Sequence, residues 1–215
     1  MTNPHLVYFA DPMCSWCWGF SPVISAIEER FGAALPIRLV LGGLRPGADQ
    51  ELSAAERADI RSHWTHVHDA SGQPFDFAFF DRPGFVYDTE PASRAVVVLR
   101  RHGVEQALRA LRHIQAAFYA HNQDVTDAAV LGTLAGELGM DPAEFAREFE
   151  SEGVRRETWS DFAMAQQAGV RGFPTLIAGS GVGNRYVLIT NGFQPADRIL
   201  SLLNQWQASV APPAP

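Results

Sequence analysis

The 215-residue sequence contains no lysine; all 17 of its basic residues are arginine. That bias is read as genomic rather than chemical, yet it removes lysine both as a Schiff-base amine and as a cation beside a thiolate. Basic charge is in deficit as a whole, with 24 acidic residues and a formal net charge of −7. A surface that binds nucleic acid needs a basic field, so nucleic acid is not an expected partner. No apolar run approaches the roughly 20 residues that span a bilayer, so a membrane is not expected either. The pattern of an export signal is missing too: Met1 to His5 is short and has no arginine, and Leu6 to Ala10 is too brief for a signal core. The cytoplasm is the expected location. Its oligomeric state is not legible.

Cysteine is nearly absent. The two that exist, Cys14 and Cys17, stand two residues apart in Cys14-Ser15-Trp16-Cys17. A bond between them closes so small a loop that it does almost nothing to staple the fold. Two thiols without a structural use are better explained as a redox pair. A zinc site would need two further ligands, and there is no second Cys-x-x-Cys. His63, His66 and His68 are the only candidates to complete one; they read better as solvated or partner-packing residues, and no metal is expected.

What is present in quantity is apolar patterning, at 47% of residues, enough for a sizeable core. Leu6 to Ala10 reads as a short buried strand ending in the turn signal Asp11-Pro12. Phe20, Ile24, Ile27 and Phe31 follow at helical spacing and stop near Gly32, with Pro22 expected to kink the helix. Ile37 to Leu41 is a second strand, closed by Gly42-Gly43. Strand, helix, strand makes a βαβ unit with parallel strands. From about Pro46 to Gly169 the pattern is helical, interrupted by an aromatic packed loop from Ser71 to Thr89. Thr126 is expected to cap one of these helices, and Asp141-Pro142-Ala143-Glu144 has capping-box logic. A last helix of this stretch runs from Glu152 to Ala168. Thr175 to Ala178 and Tyr186 to Thr190 flank a Gly-rich turn, Gly179 to Asn184, as a hairpin would. Ile199, Leu200, Leu203 and Trp206 mark a C-terminal helix. The expected class is α/β: a mixed four-stranded sheet from residues 1–45 and 170–210, with a long helical insertion at 46–169 and a disordered tail at 211–215.

Cys-x-x-Cys after a first strand, a helical insertion, and Phe173-Pro174-Thr175 entering a later strand together resemble the DsbA-like branch of the thioredoxin superfamily. The run Asp11 to Phe20 and the run Gly42-Gly43-Leu44-Arg45-Pro46-Gly47 resemble a cytoplasmic subgroup of it. The resemblance covers essentially the whole chain and implies a thioredoxin-like sheet. It also implies that Cys14 is the exposed nucleophile, Cys17 the buried resolving thiol, and Pro174 a cis-proline beside both, with Phe173 before it. A helix start would favour the Cys14 thiolate. Ser15 and Trp16 would tune the potential; neither can replace the histidine that some strongly oxidising relatives carry there. Thioredoxin-like proteins commonly bury an acid six residues before the first cysteine, and this chain has Tyr8 instead. Asp11 is the nearest acid in sequence, with turn formation as its expected job. The resemblance also implies substrate binding at Trp16, Phe173 and Pro174, with the backbone before the proline pairing an extended substrate. From the residues alone, Trp16 and Phe173 are open between a substrate groove and core, whereas Trp18 and Phe20 read as core.

The expected function is therefore thiol–disulfide exchange with a protein or small-molecule substrate, needing no cofactor beyond glutathione as a redox partner. Two other classes stay open. Kappa-class glutathione transferases and hydroxychromene-carboxylate isomerases share the strand-and-insertion plan but usually carry Ser at the catalytic position. Some cytoplasmic relatives deliver partner proteins to a protease, as non-catalytic adaptors.

Overall fold

The computed structural model describes residues 3–181 and 185–210. The first apolar run forms β1 (His5–Ala10), every residue of it buried. The chain then turns into α1 (Ser15–Phe31) and returns as β2 (Ile37–Leu41), parallel to β1 with Tyr8 opposite Leu39. After six further helices, β3 (Thr175–Gly179) lies antiparallel on the other side of β1, and β4 (Tyr186–Asn191) pairs antiparallel with β3. The order β2-β1-β3-β4 gives the expected mixed four-stranded sheet. The helix α8 (Ala196–Val210) closes the described chain and packs on α1 and β4. Of the expected Gly179 to Asn184 turn, residues 182–184 lie outside the described residues, as does the tail at 211–215.

Pro22 sits inside α1 without interrupting it. Proline has no N–H for the carbonyl four residues back, which here belongs to Trp18. The Gln73 side-chain amide supplies the missing donor, at 3.1 Å from that carbonyl, and also donates to the Ser21 hydroxyl at 2.9 Å.

The helices between β2 and β3 are α2 (Ala54–Ser71), α3 (Glu90–Arg100), α4 (Val104–Tyr119), α5 (Ala128–Glu137), α6 (Pro142–Phe149) and α7 (Glu152–Gln167). A complete capping box starts α2: the Ser53 hydroxyl accepts the Glu56 N–H while the Glu56 carboxylate accepts the Ser53 N–H. The sequence expectation that Thr126 caps α5 is corrected. The cap is Asp127, whose carboxylate accepts the Ala129 N–H at 2.7 Å, and the Thr126 hydroxyl donates to Asp124 instead. A carboxylate is the stronger acceptor for an N–H at the positive end of the helix. Asp141 caps α6 through the Glu144 N–H, with Pro142 in the first turn.

β2 is an edge strand, and its outer side is covered by side chains rather than by another strand. The Leu41 N–H donates to Asp161 of α7 at 2.9 Å, and the Leu39 carbonyl accepts from Arg100 of α3 at 3.2 Å. Arg100 is itself ion-paired to Asp161 and to Glu157. Covering an edge in this way removes a template for unwanted pairing and anchors the helical segment to the sheet.

The aromatic stretch 71–89 is not wholly irregular: residues Phe77–Asp81 form a 3-10 turn, capped by Asp76. It packs around Trp64 of α2, whose ring centroid lies 4.8–5.8 Å from those of Phe75, Phe79, Phe80, Phe118 and Tyr119. Trp64 is 1% exposed and belongs to the same apolar core as the sheet residues Leu6, Tyr8 and Leu39. Trp64→Ala should therefore cost about 3–5 kcal/mol, the usual range for deleting a buried Trp, read as a lowered midpoint in urea unfolding with little change in slope.

Candidate redox site

Cys14 is the N-cap of α1, with extended backbone (φ −95°, ψ 115°), and its side chain makes no capping bond. Its N–H donates to the Asp11 carbonyl at 3.1 Å and its carbonyl opens the helix by accepting from Trp18. The thiol points the other way, to the Phe173 carbonyl at 3.5 Å. Phe173-Pro174 is a cis peptide at the entrance to β3, so the start of α1 and the start of β3 meet at this sulfur. Cys14 retains 6% exposure and Cys17, at the far end of the same turn, has none. Both cysteines are free thiols.

A cavity of about 470 Å³ opens over Cys14. Ser15, Trp16 and Phe173 line it with Cys14; Cys17 and Pro174 lie behind this wall, both buried. Trp16 packs on Phe193, with ring centroids 5.8 Å apart. Trp18 and Phe20 are core residues: Trp18 stacks on Tyr119, and Phe20 is wholly buried. Gly42 is needed here, since a Cβ at that position would lie 2.1 Å from the Phe173 ring.

The opposite wall was not legible from sequence. One face of α2 supplies Glu56, Asp59, Ile60 and His63, and the loop after β2 supplies Leu44 and Arg45. Arg45 is ion-paired with Glu56 at 2.9 Å. Hydrogen bonds from the Ser53 N–H and hydroxyl, then Arg45, pull the Glu56 carboxyl down to about 2. The spacing 56, 59, 60, 63 is a helical stripe that could have been read in the chain, but nothing in it says which way the stripe faces. Of the three clustered histidines only His63 lines the cavity; His66 is exposed, and His68 bonds the Gln73 carbonyl. Among the described residues, the group of ligand-type side chains close enough to share a metal ion is His102, Glu144 and Glu148, which includes neither cysteine. Arg101 stands 3.3 Å from Glu148, where its charge opposes a cation.

Asp11 does more than form a turn. It is fully buried, and its carboxylate accepts the Met13 N–H at 2.9 Å and the Leu44 N–H at 2.8 Å. Thr89 donates to it as well, while accepting the Arg45 N–H at 3.1 Å. Burial raises the Asp11 carboxyl to about 6, against the pull of these donors. Cys17 is pushed well above the ordinary thiol range, first by burial and then by its contact with Cys14; a hydrogen bond from the Asp11 backbone opposes the rise. Tyr8 is raised by burial and by the nearby cysteines. Tyr87, whose hydroxyl donates to the Met13 carbonyl at 2.7 Å, is raised chiefly by burial.

Residues 5–204 match the family described as the DSBA-like thioredoxin domain. The chain belongs to that family. Its fold matches a putative protein disulfide isomerase from Nitrosomonas europaea with a TM-score of 0.89 and 39% identity, over 96% of this chain and 98% of that one. It also matches the cytosolic disulfide reductase DsbM from Pseudomonas aeruginosa (TM-score 0.77, 26% identity, 95% and 99% of the two chains). A DsbM structure with GSH is similar at 27% identity, a TM-score of 0.75, and coverage of 94% and 99%. Among curated proteins, the ClpXP adapter protein SpxH of Halalkalibacterium halodurans is 24% identical over 79% of this chain. This chain spans about half the length of such relatives, 56% in that case.

The raised Asp11 carboxyl has a definite sign in folding. Its proton is held more tightly in the folded state than at the ordinary value of 3.8. Its contribution is thus most favourable below about pH 4 and is lost as pH rises through about 6. Between pH 4 and 7, wild type should lose about 2 kcal/mol relative to Asp11→Asn, measured as paired urea unfolding curves at each pH. A gap independent of pH would contradict the placement of this carboxyl.

Proposed function

We propose that the protein is a thiol–disulfide oxidoreductase that exchanges disulfides with protein or small-molecule substrates through Cys14 and Cys17. The observation that carries this reading is the asymmetry of the two sulfurs. One lines a cavity at a helix start, against the backbone that precedes a cis-proline; the other is sealed one turn behind it.

The Cys14 thiolate attacks one sulfur of a substrate disulfide, and the other sulfur leaves as a thiolate. Cys17 then attacks the Cys14 sulfur of the mixed disulfide. The Cys14–Cys17 bond forms, the bond to substrate breaks, and the second substrate sulfur leaves with the electron pair. Two enzyme thiols have been oxidised and one substrate disulfide reduced. Run backwards, the same steps place a disulfide in a substrate. The apolar walls at Trp16, Ile60 and Phe173 suit a substrate with an apolar side beside its sulfur.

Glutathione is the small thiol we propose as redox partner, supported by its presence with the similar DsbM. The cytosol is the proposed compartment, supported by the description of DsbM as cytosolic. Among the described residues no helix is long and apolar enough to cross a membrane. In a reducing compartment the pair would cycle as a reductant. The second reading is an adaptor, favoured by the similarity to SpxH proteins. The isomerase reading rests on a 15% identical structure, which speaks for the fold alone.

Cys14→Ser should abolish turnover of a model disulfide, whereas Cys17→Ser should accumulate a mixed disulfide at Cys14, visible as added mass that a reductant removes. Full turnover in Cys14→Ser would sink the redox reading. A protein partner held equally well by both variants, with no turnover in wild type, would favour the adaptor.

A further inference from the structure

The sheet has two edges, and they are finished differently. The β2 edge is closed by Asp161 and Arg100. β4 forms the other edge, and its sequence, Tyr186-Val-Leu-Ile-Thr-Asn191, has neither a charge nor a proline. Those are the residues that usually blunt an edge. Tyr186, Val187 and Leu188 are 46%, 50% and 59% exposed. Among the described residues, the other exposed large hydrophobics are Leu44, Val104 and Trp159, each isolated in sequence. Neighbours on a strand point to opposite faces, so three in a row leave both faces of β4 open at the edge. Beside them is a recess of about 380 Å³, lined by Phe9, Val170, Ile177, Tyr186 and Leu188, with Arg171 as the one charged residue of its lining. We propose that β4 is a dimerisation edge, pairing antiparallel with β4 of a second copy of this chain across a twofold axis at Leu188.

The charge pattern favours a second copy. Each chain has a formal net charge of −7, so two copies approach most easily where acid is missing. β4 and the recess beside it contain no acidic residue. A twofold contact sets the same patch against itself. With the axis at Leu188, Leu188 meets Leu188, Val187 meets Ile189, and Tyr186 meets Thr190. These are apolar, aromatic and β-branched pairs, the kind that stabilise adjacent strands. Arg185, just before β4, falls opposite Asn191. The two copies of Arg185 are then about 20 Å apart along the ladder and screened from one another. No β4 residue lines the Cys14 cavity, so that cavity stays open in both copies.

The contact is small. A standard interface buries about 800 Å² per partner, whereas β4 offers six residues with an irregular register at Ile189. The dimer is accordingly expected to be weak, with a Kd of about 10 µM.

Sedimentation velocity from about 1 to 300 µM, with a reductant present to exclude disulfide-linked dimers, should show wild type passing from monomer to dimer. Leu188→Arg sets like charges face to face and should weaken the dimer roughly 10-fold. Val187→Arg should do the same from the other face of the strand, and serves alone if Leu188→Arg does not fold. Both side chains are half in water already, so far-UV circular dichroism and the urea midpoint should match wild type. An equimolar mixture of Leu188→Arg and Leu188→Glu should dimerise again, because opposite charges then meet across the axis. In wild type, hydrogen exchange over residues 186–191 should slow as concentration rises. A wild type that stays monomeric throughout overturns the proposal. So does a dimer indifferent to both arginine substitutions, or one whose protection falls outside 186–191. Protection of this strand by an added extended peptide, with the chain itself monomeric, would assign the edge to a peptide and equally defeat the proposal.

Discussion

The carboxylate of Asp11 is the constraint on which the site depends. It holds two backbone segments together, the turn that carries Cys14 and the loop that follows β2. Backbone bonds from the Cys14 N–H to the Asp11 carbonyl and from the Gly42 N–H to the Ala10 carbonyl frame the same two segments, and the carboxylate ties them to each other beyond that frame. The second segment then builds outward. Leu44 and Arg45 wall the cavity, and Thr89 joins Arg45 to the same carboxylate. A buried carboxylate without good donors would be costly; three donors offset that cost here only in part, which is why its proton is held to about 6.

The rest of the scaffold limits where these loops can go. The edge of β2 is closed by Asp161 and Arg100, so the strand that launches the second loop is tied to α3 and α7. Gly42 leaves the space that the Phe173 ring fills, and Phe173 in turn presents its carbonyl to the Cys14 thiol. One glycine in β2's exit thus sets the distance between a helix start and a strand start that are 159 residues apart in sequence.

Much of this was legible in the chain because its signals are local. Strand patterning at Leu6 to Ala10 and Ile37 to Leu41, the stop at Gly32 and the Pro before Thr175 are each decided within a few residues, and the sheet follows from them. The cysteine pair was legible for the same reason. The far wall of the cavity was not, because Glu56, Asp59, Ile60 and His63 mark a helix face without naming what it faces. Asp11 was misjudged in scope rather than place. Asp-Pro is a turn signal in any sequence, and its link to Leu44 depends on β1 and β2 being neighbours. Thr126 lost the cap to Asp127 by one residue, a choice made by which side chain is the better acceptor.

The burial difference between the two sulfurs also explains why the pair is better suited to exchange than to stabilisation. A disulfide stabilises by restricting the unfolded chain, and two intervening residues leave little to restrict. The same spacing places Cys17 one helical turn behind Cys14, close enough to attack it and too deep to meet a substrate first. In the exchange proposed above, access rather than intrinsic reactivity would set the order of attack. An adaptor would need neither the graded access nor a sealed second thiol beside a buried carboxylate, since binding a partner draws on surface alone. The α2 stripe that walls the cavity can serve substrate selection, and the sealed thiol behind it fits the exchange proposed above, whereas the buried carboxylate already has a structural use in joining the two loops.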